Sequence, residues 1–86
     1  MRSVLFTPIA WEDFQYWLET DQAVLNKVRA LIKDIQRNPF TGIGKPEPLK
    51  ANLKGYWSRR ITGEHRLVYE VRGEHVNIMA CRHHYK

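Results

Sequence analysis

Cysteine is almost absent from this chain. Cys81 stands alone among 86 residues, so no disulfide can form within the chain, and this usage fits a reducing compartment. No apolar run approaches the length of a membrane span. The opening MRSVLFTP has too short an apolar stretch for a signal peptide and no small-residue cleavage site. These absences predict a soluble, cytoplasmic protein with no membrane partner. CxxC, HxxxH and acidic clusters are missing too, which leaves zinc and two-metal nuclease chemistry without ligands. No metal or other cofactor is therefore expected. The segment TGIGKPEP contains two glycines and a lysine but lacks the preceding strand and following helix of a P-loop. There is no repeat, low-complexity tract or linker, and the length suffices for one small domain, residues 1–86.

What is present is a packed-protein composition with an uneven charge. Hydrophobic residues make up 43%, and the net charge is +5 with a pI near 9.7. Residues 1–43 carry five basic and five acidic side chains, which cancel; residues 44–86 carry nine basic and four acidic, which supply the whole excess. The second half is therefore where a polyanion would bind, and nucleic acid is the first candidate. Solubility alone is the competing explanation of such a charge.

Periodicity predicts the elements. SVLF, residues 3–6, reads as a short strand. Thr7 followed by Pro8 is a helix start signal. Trp11, Phe14 and Leu18 then recur on one helical face, widened by Trp17, and the aromatics of this helix are expected in the core. Thr20 and Asp21 mark a break. A second helix follows, with Val24, Leu25, Val28, Leu31, Ile32 and Ile35 at the 3.6-residue period, stopped by Asn38–Pro39. Residues 39–48 read as loop, and 49–53 as either strand or helical turn. Residues 56–61, 65–71 and 76–82 read as three strands joined by the turns TGE and RGE, hence an antiparallel meander. The predicted fold is α+β: a two-helix hairpin packed on an antiparallel sheet of about four strands, in the order β-α-α-β-β-β.

Metal-free cleavage of RNA needs a base for the 2′-hydroxyl proton, an acid for the departing 5′-oxygen and cations for the phosphoryl oxygens. Glutamate and histidine, with reference pKa values near ~4.3 and ~6.5, suit the two proton transfers. Arginine suits the phosphate because its planar fork donates two hydrogen bonds at once. The chain offers one such set. Glu47 is held between Pro46 and Pro48, and Lys50 lies three residues on. Arg59, Arg60 and Arg66 come from neighbouring strands, and His84 and Tyr85 follow the last strand. An aromatic there could stack on a splayed base. Each residue also has a plainer role: Glu47 could neutralise Lys45 or Lys50, and the arginines could face solvent. His83 and His84 are adjacent, so on a regular strand they point to opposite faces. His65 and His75 sit at turn edges with no assigned role. His84 and Tyr85 are expected to have few backbone hydrogen bonds to fix them.

NPF.G.GKPEPL (38–49), G.WSRRI (55–61), EHRLVY (64–69) and the closing HY (84–85) together resemble the YoeB toxins of the RelE superfamily, over essentially the whole chain. The first helix, WEDFQYWLETD, is similar too. The resemblance implies a bacterial, cytoplasmic toxin of a type II toxin–antitoxin system that cleaves mRNA in the A site of the 70S ribosome. It implies a microbial ribonuclease-like fold with a four-stranded antiparallel sheet. It implies Glu47 as general base, Arg66 as phosphate holder, His84 as general acid with Tyr85 beside it, and Lys50 at the same site, with Arg59 and Arg60 read as further RNA-binding cations. The implied partner is a YefM-type antitoxin with an acidic segment that folds onto the toxin; a homodimer is also allowed. The chain departs from the pattern at Lys86, which follows the tyrosine, and at His83, where an aromatic is familiar. Two rival readings are a ParE-like toxin, which shares the fold and inhibits DNA gyrase by binding, and a basic RNA-binding module without activity. The retained Glu47, Arg66, His84 and Tyr85 favour the nuclease.

Overall fold

The computed structural model describes residues 1–84. Strand β1 (Ser3–Phe6) leads into helix α1 (Pro8–Thr20) and helix α2 (Gln22–Arg37). A two-residue strand β2 (Glu47–Pro48), a 3₁₀ turn (Ala51–Leu53) and strands β3 (Trp57–Arg60), β4 (Arg66–Arg72) and β5 (His75–Ala80) follow. The five strands form one sheet in the order β1-β5-β4-β3-β2.

The helix starts obey local chemistry. Thr7 caps α1 by accepting from the Ala10 N–H at 3.1 Å and ties it to β5 by donating to the Met79 carbonyl at 2.9 Å. A cap of this kind contributes about 1 kcal/mol. Asp21 caps α2 through the Val24 N–H. The α2 stripe packs as its period predicts: Leu25, Val28, Leu31 and Ile35 are buried and Val24 and Ile32 partly so. Each fully buried aliphatic is worth roughly 1.5–3 kcal/mol. Leu67, Tyr69, Val76 and Ile78 meet them from the sheet.

The structure revises the expected architecture at four points. First, the sheet has five strands and is mixed, because β1 lies parallel to β5 while β2–β5 pair antiparallel. The helix pair returns the chain so that β1 fills the edge beside β5. Second, Glu47–Pro48, expected in a loop, is an edge strand, where proline is tolerated because no further strand needs its missing N–H. Third, the open segment 49–53 resolves as the 3₁₀ turn, and the last strand ends at Ala80 rather than at residue 82. The Cys81 N–H there turns from the sheet to the Asp13 carboxylate, at 2.9 Å. Fourth, α1 docks through Ala10 and Trp17, with Phe14 partly buried, whereas Trp11 and Leu18 are 50% and 53% exposed. Trp11 instead stacks on Phe14, with ring planes 6° apart, and meets Phe6 edge-on, outside the core.

Candidate active site

Cross-strand partners share a face of a sheet. Arg59 pairs with Leu67 and Trp57 with Tyr69, and the fully buried Leu67 and Tyr69 mark this as the helix side. The alternate residues therefore face away from the helices. Glu47 pairs with Ser58 and Ser58 with Val68, making one row across three strands, and a bulge between Val68 and Tyr69 shifts the register where β4 meets Ala80 of β5. Arg60 pairs with Arg66 in the neighbouring row. The register thus brings Glu47, Arg60 and Arg66 to one open face, beside the end of β5 from which the chain continues to His84. Glu47, Lys50, Arg60 and His84 are exposed and Arg66 is half-buried. A shallow cavity of about 420 Å³ is lined by residues 47–53, so Glu47 and Lys50 share it.

Arg59 is not on this face. It was expected among the RNA-binding cations, and it is fully buried. Its Nη1 donates to Asp34 Oδ2 at 2.5 Å and to the Ile43 carbonyl at 2.9 Å. Its Nη2 donates to the carbonyls of Asn38 (2.6 Å) and Thr41 (3.1 Å), and its Nε to the Tyr69 hydroxyl (3.2 Å). The Tyr69 hydroxyl in turn donates to the Pro39 carbonyl at 2.6 Å. One guanidinium therefore gathers the loop 38–43, and a buried charge so fully paired cannot also hold a phosphate. The Arg59 hydrogen bond holds the Asp34 carboxyl below the usual carboxylate range, while burial pushes the Tyr69 hydroxyl up. The loop packs too closely for side chains at two glycines with positive φ. A Cβ on Gly42 would collide with Asp34 Oδ2, and one on Gly44 would lie 2.7 Å from Leu31 Cδ2. The Gly44 carbonyl accepts the Arg60 N–H at 2.7 Å, which delivers the chain to Glu47 in register with β3.

The other approach to the site is the segment after β5. It is pinned as far as His83, one residue before the His84 and Tyr85 expected to have few backbone hydrogen bonds. The Cys81 carbonyl accepts from Trp17 Nε1 at 2.8 Å, and the Arg82 guanidinium lies 3.5 Å over the Tyr16 ring. The His83 N–H donates to His65 Nδ1 at 2.8 Å, and the His83 carbonyl accepts the Arg66 N–H at 2.9 Å. Burial raises the Asp13 carboxyl, against the opposing pull of the Cys81 N–H, and pushes the Cys81 thiol up to about 12. That thiol is buried packing. Arg66 Nη1 donates to the carbonyls of Thr62 (2.8 Å), Gly63 (3.3 Å) and His65 (3.1 Å), which ties its fork to the β3–β4 turn. Tyr85 lies outside the described residues, as does Lys86.

Three non-glycine residues among those described have positive φ: Lys45 (52°), Ala51 (56°) and His83 (67°). They stand two residues before Glu47, one after Lys50 and one before His84. Such backbone costs of order 1–3 kcal/mol per residue and persists only where its surroundings over-determine it. His65 and Arg66 grip the backbone of His83, while Asp34, Tyr69, Asp13 and Trp17 anchor neighbouring residues of the two segments; the sequence reading missed Asp34, Tyr69, Asp13, Trp17 and His65 in this role. Among the described residues no group of three or more His, Cys, Asp or Glu side chains is placed to hold a metal.

A sequence profile described as the YoeB-like toxin of the bacterial type II toxin–antitoxin system matches residues 6–85. "Toxin YoeB" of Escherichia coli (strain K12) is 55% identical over 82 residues, 95% of this chain and 98% of its own. "Toxin RelK" of Mycobacterium tuberculosis (strain ATCC 25618 / H37Rv) is 55% identical over 85 residues, 99% of this chain and all of its own. Among solved structures, the YoeB dimer from Staphylococcus aureus superposes with a TM-score of 0.91 at 48% identity, covering 98% of both chains. YafQ from E. coli shares the fold at a TM-score of 0.79 and 18% identity, over 96% of this chain and 93% of its own. By sequence profile, identity and fold together, the chain belongs to the YoeB-like toxins of bacterial type II toxin–antitoxin systems.

Proposed function

We propose that this toxin is a ribosome-dependent endoribonuclease that cleaves mRNA by general acid–base catalysis without a metal. Glu47 removes the 2′-hydroxyl proton, and the 2′-oxygen attacks the adjacent phosphorus. His84 protonates the departing 5′-oxygen. Arg66 stabilises the phosphoryl charge, Lys50 and Arg60 bind the RNA backbone, and Tyr85, next to the acid in sequence, completes the catalytic set. The products are a 2′,3′-cyclic phosphate (or its hydrolysed 3′-phosphate) and a 5′-hydroxyl. The observation that carries this reading is the strand register, which puts Glu47, Arg60 and Arg66 on one open face next to the exit toward His84. A base fixed on a sheet edge and a tethered arginine fork are preorganised for one phosphate geometry.

The neutralising partner in this reading is a YefM-type antitoxin. A YoeB–YefM heterotetramer from S. aureus contains a chain 48% identical to this one, with a TM-score of 0.90 over 99% of both chains. An acidic segment would gain most on residues 44–86, which carry the net charge.

The deciding experiment incubates the protein with translating ribosomes and maps the new mRNA ends. Cleavage at A-site positions, leaving 5′-hydroxyl ends and persisting when divalent ions are exchanged out after the complex forms, is the expected result. Intact mRNA together with inhibited DNA gyrase would replace this reading with the ParE-like one.

A further inference from the structure

His65 has no part in the proton transfers above, yet it holds the residue next to His84. Its imidazole is 16% exposed and packs edge-to-face on Trp17, ring centroids 4.8 Å apart and planes 78° apart. Its Nδ1 accepts the His83 N–H at 2.8 Å, while the next residue along, Arg66, donates its own N–H to the His83 carbonyl at 2.9 Å. Both backbone polar groups of His83 are thus gripped by consecutive residues at the start of β4. An imidazole nitrogen can accept only when it carries no proton, so the neutral ring carries its proton on Nε2. That nitrogen lies 3.5 Å from the Glu64 carboxylate, which favours the same tautomer.

His83 occupies the left-handed region, φ 67°. A side chain with a Cβ adopts that backbone only under external constraint. The constraint visible here is the double grip, and its effect is to set the direction in which the chain leaves toward His84.

We propose that His65 is a positioning residue for the general acid, acting through its Nδ1 acceptor on the His83 amide. The proposal rests on the reading of His84 as the acid. Trp17 sets the plane of the imidazole, Glu64 its tautomer, and the His83 amide passes the constraint to the next residue. Misplacement of a catalytic group by about 1 Å can cost on the order of 10²-fold in rate. Loss of the acceptor is therefore expected to lower kcat by up to ~10²-fold with KM little changed.

Three substitutions separate this role from packing. In His65→Asn the side-chain oxygen occupies the place of Nδ1 and the ring is lost. In His65→Gln the amide reaches the place of Nε2 instead. In His65→Phe the ring on Trp17 is kept and the acceptor is lost. The expected order of kcat on ribosomes is wild type and His65→Asn together, then His65→Gln and His65→Phe well below. Hydrogen exchange at the His83 amide is the second readout and needs no catalysis. Protection should survive in His65→Asn and fall in His65→Gln and His65→Phe, and this tests the grip even if the wild type cleaves nothing. Equal kcat in all three variants, a better His65→Phe than His65→Asn, or an unchanged His83 exchange rate in His65→Phe would overturn the proposal.

Discussion

The two segments that converge on the open sheet face, residues 38–47 and 81–84, are anchored by different kinds of bond. The first closes around a cation: Arg59 gives every one of its nitrogens to Asp34, Tyr69 or the loop carbonyls. The second is held mostly by neutral contacts, in which indole, imidazole and backbone N–H groups each satisfy one partner, with Asp13 and the Arg82 guanidinium over Tyr16 as the charged exceptions. A buried guanidinium fixes a long loop from one point, but it concentrates the loop's integrity in one residue. A row of single hydrogen bonds spreads the load and fails gradually. One open sheet face is thus built with an all-or-none arm and a graded arm.

The largest expected effect treats both arms as equal partners in chemistry. Glu47→Gln and His84→Gln should each slow mRNA cleavage by about 10² to 10⁴, with the denaturation midpoint unchanged. Near wild-type cleavage by either variant would remove that residue from the mechanism. Next, Arg59→Leu breaks the first arm at its centre. It leaves several loop carbonyls and the partly exposed Asp34 carboxylate without their donor, at about 1–3 kcal/mol for each buried acceptor left unpaired, read as a fall in the urea midpoint. A loss confined to cleavage, with stability intact, would instead return Arg59 to the RNA-binding set.

Trp17→Phe tests the graded arm. It keeps most of the ring and leaves the Cys81 carbonyl without its Nε1 donor, so the loss should be about 1–3 kcal/mol and clearly smaller than for Arg59→Leu. An equal or larger loss would mean that the arms do not differ in kind.

The smallest effect is a difference in sign with pH. Asp34 has a lowered pKa in the fold, so its contribution is present above the ordinary carboxylate pKa and is lost as pH falls through that value toward the folded one. Asp13 has a raised pKa, so its contribution is present below the ordinary value and is lost as pH rises through the folded one. Acidification should loosen the first arm while favouring the second. Asp34→Asn should flatten the acid limb of a stability–pH curve. Asp13→Asn, which can still accept the Cys81 N–H, should hold or raise stability at neutral pH. A neutral-pH loss in Asp13→Asn as large as that in Asp34→Asn would erase the contrast.

Much of this architecture was legible because it rests on period and punctuation. The α2 stripe from Val24 to Ile35 and the glycine turns between the last three strands specify their elements locally. The edge strand was not legible, since Pro46 and Pro48 read as loop until the β3 partner is known. In α1 the helical spacing of Trp11 suggested burial, but the helix approaches the sheet closely through Ala10 and leaves Trp11 outside. Arg59 carried a usable signal: it lies between Trp57 and Ile61 at strand period two, so parity alone put it on their side. Its partner Asp34 carried none, because nothing in the sequence of α2 announces a contact with β3. The grip on residues 81–83 was equally hidden, as its donors and acceptors come from α1 and the start of β4.

The parallel pairing of β1 with β5 sets an order of events for a chain as it folds. Ser3 must find His75, about seventy positions away, and pairings so distant form late. The α2 stripe and the β3–β4 hairpin need only near neighbours and can form first. β5 then closes the sheet on β1 and, in the same movement, brings residues 81–83 to Trp17 and His65. In that order completion of the candidate site would wait on the closure of the sheet, and a chain still lacking its last residues carries Glu47 and Arg66 without the segment that bears His84.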